Sequence, residues 1–268
     1  MIIVRGGGDI ATGSIHKLHR CGYPVLVLES GYPSAIRRFV AFSEAVYDGS
    51  CEVEGVRAVK VPDYESACAV LDKGDVPVMI DETCAVLEKV RPWALVDAIL
   101  AKRNLGTSRD MADKTVGLGP GFQAGKDVDL VIETMRGHDL GRIIGNGRAL
   151  PNTGVPGLIG GIGADRVIHS PARGIFLGKA AIGDKVVQGQ TIGIVVTGQG
   201  EAAVEASISG LLRGIIKDGF PVEKGLKIAD IDPRDSEYEN CFTISDKARC
   251  IAGSVLEGLL MLERKQGH

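Results

Sequence analysis

Short runs of apolar residues, separated by glycine-rich or polar segments, recur through the first half of the chain. Runs with the length and composition of buried β-strands occupy residues 2–4, 25–28, 76–80, 116–118 and 130–132. Residues 10–21 carry apolar side chains at helical spacing and end before Gly22, a natural helix C-cap. The apolar segment 94–101 fits either a strand or a helix. Strands that alternate with helical patterns predict an α/β fold with a Rossmann-like, doubly wound parallel sheet.

The second half of the chain contains an internal repeat. The glycines at Gly174, Gly183 and Gly189 have counterparts 36 residues later at Gly210, Gly219 and Gly225. Each copy is too short to be a domain, so two interlocked copies predict one small flattened β barrel. The turn at residues 183–190 resembles that of biotinyl and lipoyl domains, which are barrel-sandwich hybrids. No lysine lies between Lys185 and Lys217, where those domains carry their modified lysine. The module is therefore predicted to be a scaffold, a docking surface or a lid.

Three consecutive domains follow from these patterns. Residues 1–164 are predicted to form a Rossmann-like nucleotide- or cofactor-binding domain, and residues 165–235 the biotinyl/lipoyl-like β module. A glycine-rich connector at 141–163 precedes the boundary. Residues 236–268 form a helical tail, in which 245–264 is an amphipathic helix with Ser245 as its N-cap. This helix is expected either to pack back on one of the domains or to pair in a homodimer.

The composition of the chain indicates which partners and which cellular location to expect. The chain of 268 residues has a net charge of -3, so it has no excess of lysine and arginine with which to bind nucleic acid. No apolar run approaches the roughly 20 residues that span a bilayer, so we expect no membrane segment. The six cysteines form no C-x-x-C pair, which favours reduced thiols in a cytoplasmic protein. No histidines and cysteines have metal-ligand spacing, so no metal site is predicted.

The first candidate site is a glycine motif between two strands. Gly6, Gly7 and Gly8 lie in a G-x-G-x-x-A pattern that follows the first strand and opens the first helix, and Glu29 ends the second strand. The glycines would let the backbone approach a phosphate, helix amides would bind it, and Glu29 would accept a hydrogen bond from a ribose hydroxyl. Asp9 would repel phosphate, so it caps the helix or holds a metal or a sugar hydroxyl. Thr12 in the same helix is included in the site.

Two further segments follow predicted strands and extend this candidate site. Residues 119–127 form a glycine-rich loop with Gly119, Gly121 and one cation, Lys126. Residues 133–139 follow the strand at 130–132, and ligands of open α/β sheets bind at the carboxyl ends of strands. Three side chains there are predicted to contact an anionic ligand: Glu133, Arg136 and His138. The alternative for Arg136 and His138 is that both are solvated turn residues.

Four segments carry a resemblance to a known family: residues 4–13 (VRGGGDIATG), 41–47 (AFSEAVY), 117–122 (GLGPGF) and 227–234 (KIADIDPR). They resemble the YqeB family of the selenium-dependent molybdenum hydroxylase system, which is distantly similar to the XdhC/CoxI maturation factors. The resemblance implies a role in hydroxylase maturation, with the molybdenum cofactor (a molybdopterin nucleotide) as ligand. It implies hydroxylase subunits and other cofactor-maturation proteins as partners. It assigns no catalytic residues.

Two other functions remain open at this point. One is an NAD(P)-dependent oxidoreductase, although the sequence shows no clear general acid–base pair or Ser/Tyr/Lys array for hydride chemistry. The other is a nucleotide-sensing module in which ligand binding moves the β module. Whether the protein is an enzyme is left undecided, and the ligand is either a nucleotide or a pterin.

Overall fold

The computed structural model describes residues 1–154 and 161–266, which form two compact units. Unit 1 comprises residues 1–33, 41–153 and 244–268, and unit 2 comprises residues 34–40 and 154–243. The units therefore interleave along the chain, unlike the predicted consecutive domains 1–164, 165–235 and 236–268. Part of the predicted connector at 141–163 and the last two residues of the predicted tail lie outside the described residues.

Unit 1 is built on one large sheet flanked by helices. Its strands are β1 (Ile2–Arg5), β2 (Val25–Glu29), β3 (Ser50–Val53), β4 (Val56–Val61), β5 (Val76–Ile80), β6 (Ala94–Asp97), β7 (Lys114–Leu118), β8 (Leu130–Ile132) and β9 (Ile143–Ile144). Its helices are α1 (Asp9–Arg20), α2 (Ala45–Asp48), α3 (Tyr64–Leu71) and α4 (Asp246–Gln266). The apolar runs predicted as strands are confirmed, and the ambiguous segment at 94–101 contains strand β6.

The nine strands are ordered β3-β4-β5-β2-β1-β6-β7-β8-β9, and the sheet is mixed. The six central strands and β8 run parallel, but β3 pairs antiparallel with β4 and β9 pairs antiparallel with β8. The prediction of a Rossmann-like, doubly wound parallel sheet is therefore wrong. A two-residue turn at Glu54 and Gly55, both with positive φ, joins β3 to β4, and so short a link allows only antiparallel pairing. The connections from β5 to β8 contain 3-10 turns and loops instead of crossover helices.

Unit 2 contains two four-stranded antiparallel sheets. Its strands are β10 (Val167–His169), β11 (Gly174–Gly178), β12 (Lys185–Val186), β13 (Thr191–Thr197), β14 (Gly200–Glu205), β15 (Gly210–Ile215), β16 (Pro221–Val222) and β17 (Lys227–Asp232). The strand orders are β10-β17-β15-β12 and β14-β13-β11-β16. The repeated sequence accounts for β11 to β13 and β15 to β17, and each copy lends its short middle strand to the other sheet.

The predicted biotinyl/lipoyl-like barrel-sandwich hybrid is also wrong. The hydrogen-bonded ladders of unit 2 form two separate four-stranded sheets, and each has an outer strand, β10 or β14, that the repeat does not include. Gly174 and Gly210 occupy equivalent positions at the start of β11 and β15. A Cβ atom at either would overlap a backbone oxygen, that of Val196 or Asp232. Packing between neighbouring strands thus explains Gly174 and Gly210. The other glycines of the repeat lie in turns and have positive φ angles of +79° to +97°: Gly183, Gly189, Gly219 and Gly225.

Helix α4 belongs to unit 1 and packs against α1. A Cβ atom at Gly13 of α1 would lie 2.8 Å from the Cβ of Ala248, in the first turn of α4. The hydroxyl of Ser245 accepts a hydrogen bond from the Ala248 amide at 3.2 Å, which confirms the predicted N-cap. None of the described helices has both the length and the apolar character needed to span a membrane.

Candidate functional site

The three glycines after β1 have different packing environments. Gly6 has a φ of +93°, and a Cβ atom there would lie 3.1 Å from the Ala98 carbonyl oxygen. A Cβ atom at Gly7 would lie 2.9 Å from the Ser43 amide nitrogen. By contrast, no atom lies within 4 Å of the corresponding position at Gly8. Packing therefore requires the first two glycines, whereas the third faces open space at the start of α1.

The glycine loop is tied to the segment at 41–44. The hydroxyl of Thr12 donates a hydrogen bond to the Gly7 carbonyl at 3.1 Å and accepts one from the Phe42 amide at 2.9 Å. The Ser43 amide donates to the same Gly7 carbonyl at 2.8 Å. Thr12 is fully buried, so its role in the candidate site is to hold the loop through these hydrogen bonds. Two of the segments that carry the family resemblance are thus in direct contact.

Glu29 supports the loop from the end of β2. The Gly7 amide donates a hydrogen bond to Oε2 at 2.7 Å, and the Ser30 amide donates to Oε1 at 2.7 Å. Burial raises the pKa of the Glu29 carboxyl above 4.5, although both amide hydrogen bonds oppose that rise. The sequence predicted that Glu29 binds a ribose hydroxyl. The structure shows that the carboxylate orders the loop, and ribose binding stays a prediction.

Helix α1 begins at this loop without a side-chain cap. Gly8 is the N-cap residue, with φ −69° and ψ 179°, and among the described residues no side chain caps the helix. The first amides of a helix lack intrahelical acceptors and carry the positive end of its dipole. Asp9 lies in the first turn, but it does not act as the predicted cap. The opening at Gly8 therefore presents backbone donors to an anion.

A group of charged side chains lies at the carboxyl end of the sheet in unit 1, beside this opening. We call it the charged cluster, and its members are Asp9, Glu133, Arg136, Asp246 and Lys247. Glu133 is buried and accepts hydrogen bonds from the amides of Thr134 and Met135 at 2.7 Å and of Leu150 at 2.8 Å. Glu133 therefore holds the loop between β8 and β9.

Arg136 and Lys247 carry the positive charges of the cluster. Arg136 donates two hydrogen bonds to the carboxylate of Asp246, at 2.8 and 3.0 Å. Burial, followed by the charge of Arg136, lowers the pKa of Lys247 below 10.5, while the carboxylates of Asp9, Glu133 and Asp246 oppose that change. Sequence reasoning missed Lys247, since the residue is far from the glycine motif along the chain. The available signal was its position in the first turn of a capped helix.

The remaining predicted residues divide between two ends of the sheet. Gly119 stays near the carboxyl end, because its amide donates to the Ile132 carbonyl at 2.8 Å and a Cβ atom there would overlap the Thr134 hydroxyl. Gly121 is pressed against the backbone of Arg103. These two glycines are required by packing around the loop after β7.

Lys126 and His138 are not brought into the group around Gly8. Lys126 is exposed and follows Gly125, whose carbonyl accepts a hydrogen bond from Arg109. Arg109 also pairs with Asp129, which binds Thr115 at the beginning of β7. This chain of contacts places Lys126 at the amino end of the sheet.

His138 is exposed in the turn between β8 and β9. The turn is closed by its own backbone, since the Leu140 amide donates to the Gly137 carbonyl at 3.2 Å. Arg136, two residues earlier, is engaged by Asp246. The structure therefore separates two residues that the sequence predicted to act on one ligand, and a contact from His138 stays a prediction.

A buried ion pair fixes the ends of β1 and β6 below the loop. Arg5 and Asp97 are 4% and 2% exposed and lie 3.2 Å apart. The Thr107 hydroxyl donates to Asp97 at 2.6 Å, and Arg5 also donates to the Glu82 carbonyl at 3.1 Å. Burial raises the pKa of Asp97, while Thr107 and Arg5 oppose that rise. These residues were not identified from the sequence, and they orient the strand that leads into Gly6.

The backbone amides at the start of α1 suit an anion. The charged cluster beside them holds three carboxylates and two cations, and its arginine is engaged by Asp246. Over residues 1–154 and 161–266, no group of three His, Cys, Asp or Glu side chains could hold a metal ion. Burial raises the pKa of the Cys84 thiol, although the charge of Arg5 opposes that rise, so a thiolate is disfavoured.

Comparison with solved structures gives weak likenesses. They include an aspartoacylase family protein from Mesorhizobium loti, with 10% identity, coverage of 87% of this chain and 85% of that chain, and a TM-score of 0.29. The apo ectoine utilization protein EutE (DoeB) from Ruegeria pomeroyi has 11% identity, coverage of 86% and 85%, and a TM-score of 0.26. TM-scores this low carry no argument about fold or activity. No protein-family model matches the chain.

Sequence comparison gives a much stronger likeness. The chain is 47% identical over 262 residues to the uncharacterized protein YqeB of Escherichia coli (strain K12). The match covers 98% of this chain and 48% of YqeB, so the chain spans about half the length of that relative. The identity over nearly the whole chain supports its membership of the YqeB family.

Proposed function

We propose that this protein binds a phosphate-bearing nucleotide or molybdenum-cofactor-type ligand at the glycine loop. In this proposal it serves as an accessory protein in the maturation of a selenium-dependent molybdenum hydroxylase. Its partners would be hydroxylase subunits and other maturation proteins in the cytoplasm, a role akin to that of the XdhC/CoxI factors. The maturation role and the partners are proposed from the family resemblance. The ligand class is proposed from the geometry of the site.

The observation that carries the ligand class is the opening at Gly8. The position is the uncapped N-terminus of a 12-residue helix, and no atom lies within 4 Å of the space that a Cβ would fill. An anion placed there accepts hydrogen bonds from the first amides and meets the positive end of the dipole. Gly6 and Gly7 shape the approach, and Glu29 fixes Gly7. A phosphate group fits these donors.

Molybdopterin nucleotides contain phosphates and a polar pterin, and both parts match features of unit 1. The phosphate suits the amides at Gly8. The pterin carries donor and acceptor groups along its edge, which suit a polar surface such as the charged cluster, although Glu133 and the Arg136–Asp246 pair already have partners there. The nucleotide parts of NAD(P), CTP and ATP share the phosphate chemistry, so direct measurement must identify the ligand.

The test is thermal-shift binding of the full chain with NAD, NADP, CTP, ATP and molybdopterin cytidine dinucleotide. We expect the pterin or cytidine ligands to raise the melting temperature, because a ligand that binds only the folded state stabilises it. Gly8→Asp should abolish the shift by placing a carboxylate where the phosphate binds, whereas Gly8→Ala should retain part of it. Stabilisation by NAD or NADP alone would contradict the maturation role and favour a redox enzyme or a sensor. No shift with any ligand would overturn the phosphate site.

A further inference from the structure

The loop after β6 packs directly against the glycine loop that follows β1. We call residues 98–107 the β6 loop. A Cβ atom at Gly6 would lie 3.1 Å from the Ala98 carbonyl oxygen, and equally close to the amide nitrogen and Cα of Ile99. The Ala98 amide also donates a hydrogen bond to the Arg5 carbonyl at 2.9 Å. The start of the β6 loop is therefore fixed beside Gly6.

The end of the β6 loop is tied to the same strand. The Arg5 guanidinium donates a hydrogen bond to the Leu105 carbonyl at 3.3 Å. The Asn104 amide group donates to the Thr107 carbonyl at 2.8 Å, and the Thr107 amide donates back to Asn104 Oδ1 at 2.7 Å. Both ends of the loop thus lie at the carboxyl end of β1.

The glycine-rich loop after β7 presses on the β6 loop from another direction. A Cβ atom at Gly119 would lie 3.5 Å from Cδ2 of Leu100, and one at Gly121 would lie 2.7 Å from the Cα of Arg103. Both glycines belong to the segment 117–122, which carries part of the family resemblance. Two of the resemblance segments therefore supply glycines that make room for the β6 loop.

The backbone of the β6 loop is strained. Leu100 has a φ of +59° and Lys102 a φ of +62°. Across residues 1–154 and 161–266, only four residues other than glycine have a positive φ, and these are two of them. Such conformations persist where the surrounding packing holds them, and they cluster at binding and active sites. The shape of this loop is therefore a candidate for a functional feature.

The β6 loop also lies where the order of the strands reverses. β1 leads through α1 to β2 on one side, whereas β6, its parallel neighbour on the other side, is followed by β7 and β8 in the opposite direction. Ligands of open α/β sheets bind outside the carboxyl ends of the strands at such a point. The glycine loop follows β1 and the β6 loop follows β6, so the two loops form the sides of this position.

Two apolar side chains of the β6 loop are exposed at this position. Ile99 is 38% exposed and Leu105 is 42% exposed. Ile99 adjoins Gly6, and two residues of chain span at most about 7 Å, so Gly6 lies within that distance of Gly8. Covering such side chains with the ring of a ligand is favourable, because it removes apolar surface from water.

We propose that the β6 loop binds the flat heterocyclic ring of the ligand whose phosphate occupies the opening at Gly8. In this arrangement Ile99 and Leu105 pack against the ring. The inference rests on the proposed function and adds the surface that recognises the ring. Nucleobases and pterins both present a face of this kind. The glycine loops after β1 and β7 hold the β6 loop in place for the contact.

The test is isothermal titration of the full chain with three triphosphates. CTP carries a nucleobase, dihydroneopterin triphosphate carries a pterin, and inorganic tripolyphosphate carries no ring. We expect at least one of the two ringed ligands to bind about 10-fold or more tightly than tripolyphosphate, because burial of the ring adds to the phosphate contact. The ligand that binds more tightly identifies the class of ring.

Paired substitutions locate the ring contact. Ile99→Ser combined with Leu105→Ser should weaken binding of the ringed ligand about 10- to 100-fold and leave the affinity for tripolyphosphate within about twofold. Ile99→Val combined with Leu105→Met keeps the apolar surface and should bind like the wild type. The matched control is Leu260→Ser, which removes a leucine of 43% exposure from the second half of α4 and should change none of the affinities.

The outcomes separate this inference from the proposed function. If the ringed ligands bind no more tightly than tripolyphosphate, or if the two serine substitutions weaken all three ligands alike, the ring contact is overturned and the phosphate site stands. If the wild type binds none of the three, both proposals are overturned. If the protein with both serines does not fold, Leu105→Ser alone decides. A selective loss for the ringed ligand then supports the contact, and an unchanged affinity overturns it.

Discussion

The Gly7 amide donates a hydrogen bond to the Glu29 carboxylate, with 2.7 Å between the nitrogen and Oε2. This contact joins the end of β2 to the loop that opens α1. One donor of the glycine loop is thereby used inside the protein, and the donors left for a ligand begin at Gly8. Glu29, at the end of β2, thus acts on the site by fixing the conformation of the loop.

The first prediction concerns Glu29→Ala. The substitution leaves the amides of Gly7 and Ser30 without their acceptor, so we expect a loss of about 1–3 kcal/mol in the free energy of unfolding. Urea denaturation measures it. Glu52→Ala, which removes an exposed glutamate on β3, is the control and should change stability by less than about 0.5 kcal/mol. Equal stability of the two variants would show that the loop does not depend on Glu29.

The second prediction concerns two glycines in helices. A Cβ at Gly13 would lie 2.8 Å from Ala248, whereas one at Gly253 in α4 would meet nothing within 4 Å. Gly13→Ala should therefore destabilise the protein by about 1–3 kcal/mol through overpacking. Gly253→Ala should stabilise it by up to about 1 kcal/mol, because alanine loses less entropy in a helix. Thermal unfolding compares the two, and the same sign for both would argue against the close contact of α1 and α4.

The third prediction concerns the buried pair of Arg5 and Asp97. Asp97→Asn leaves a buried guanidinium without a counter-charge, so we expect a loss of about 3–5 kcal/mol. The exposed pair of Arg91 and Asp113, 2.8 Å apart, is the control, and Asp113→Asn should cost less than about 1 kcal/mol. Chemical denaturation tests both. A small effect at Asp97 would mean that the pair is not needed to hold β1 to β6.

The fourth prediction concerns the pH dependence of stability at His16. Its Nε2 lies 3.3 Å from the Glu54 carbonyl oxygen, which accepts the hydrogen bond, and burial lowers the pKa of His16 below 6.5. The unfolded state therefore binds more protons than the folded state just below pH 6.5, so stability falls as pH decreases through the lowered folded pKa. His16→Gln should flatten the decline in melting temperature between about pH 7 and 5. An unchanged slope would contradict a titrating His16.

Several elements of unit 1 could be predicted from local sequence. The apolar runs of β1 and β2, with the glycines between them, have a pattern that is typical of a strand, a tight loop, a helix and a second strand. The hairpin of β3 and β4 also had a signal, because Glu54 and Gly55 form a two-residue link between two short runs that contain valine. That signal was overlooked, and with it the mixed character of the sheet.

Other features depend on contacts between distant parts of the chain. The first turn of α4 lies against α1 only because Gly13 leaves room for Ala248. Lys126 lies far from Gly8 along the sheet because the loop after β7 returns to the beginning of that strand, where Asp129 binds Thr115. In both cases tertiary packing decides the position, and spacing along the sequence carries no information about it.

The most direct test of the central claim is an amide-resolved NMR titration of the protein with CTP and with molybdopterin cytidine dinucleotide. A ligand phosphate at the start of α1 should produce its largest amide shifts from Gly8 to Ala11. Gly8→Asp, which keeps the fold and adds an acidic N-cap, should abolish those shifts. Saturable shifts that cluster at Gly8 and disappear in this variant would support the account. Binding with shifts confined to other parts of the chain, or no shifts at all, would contradict it.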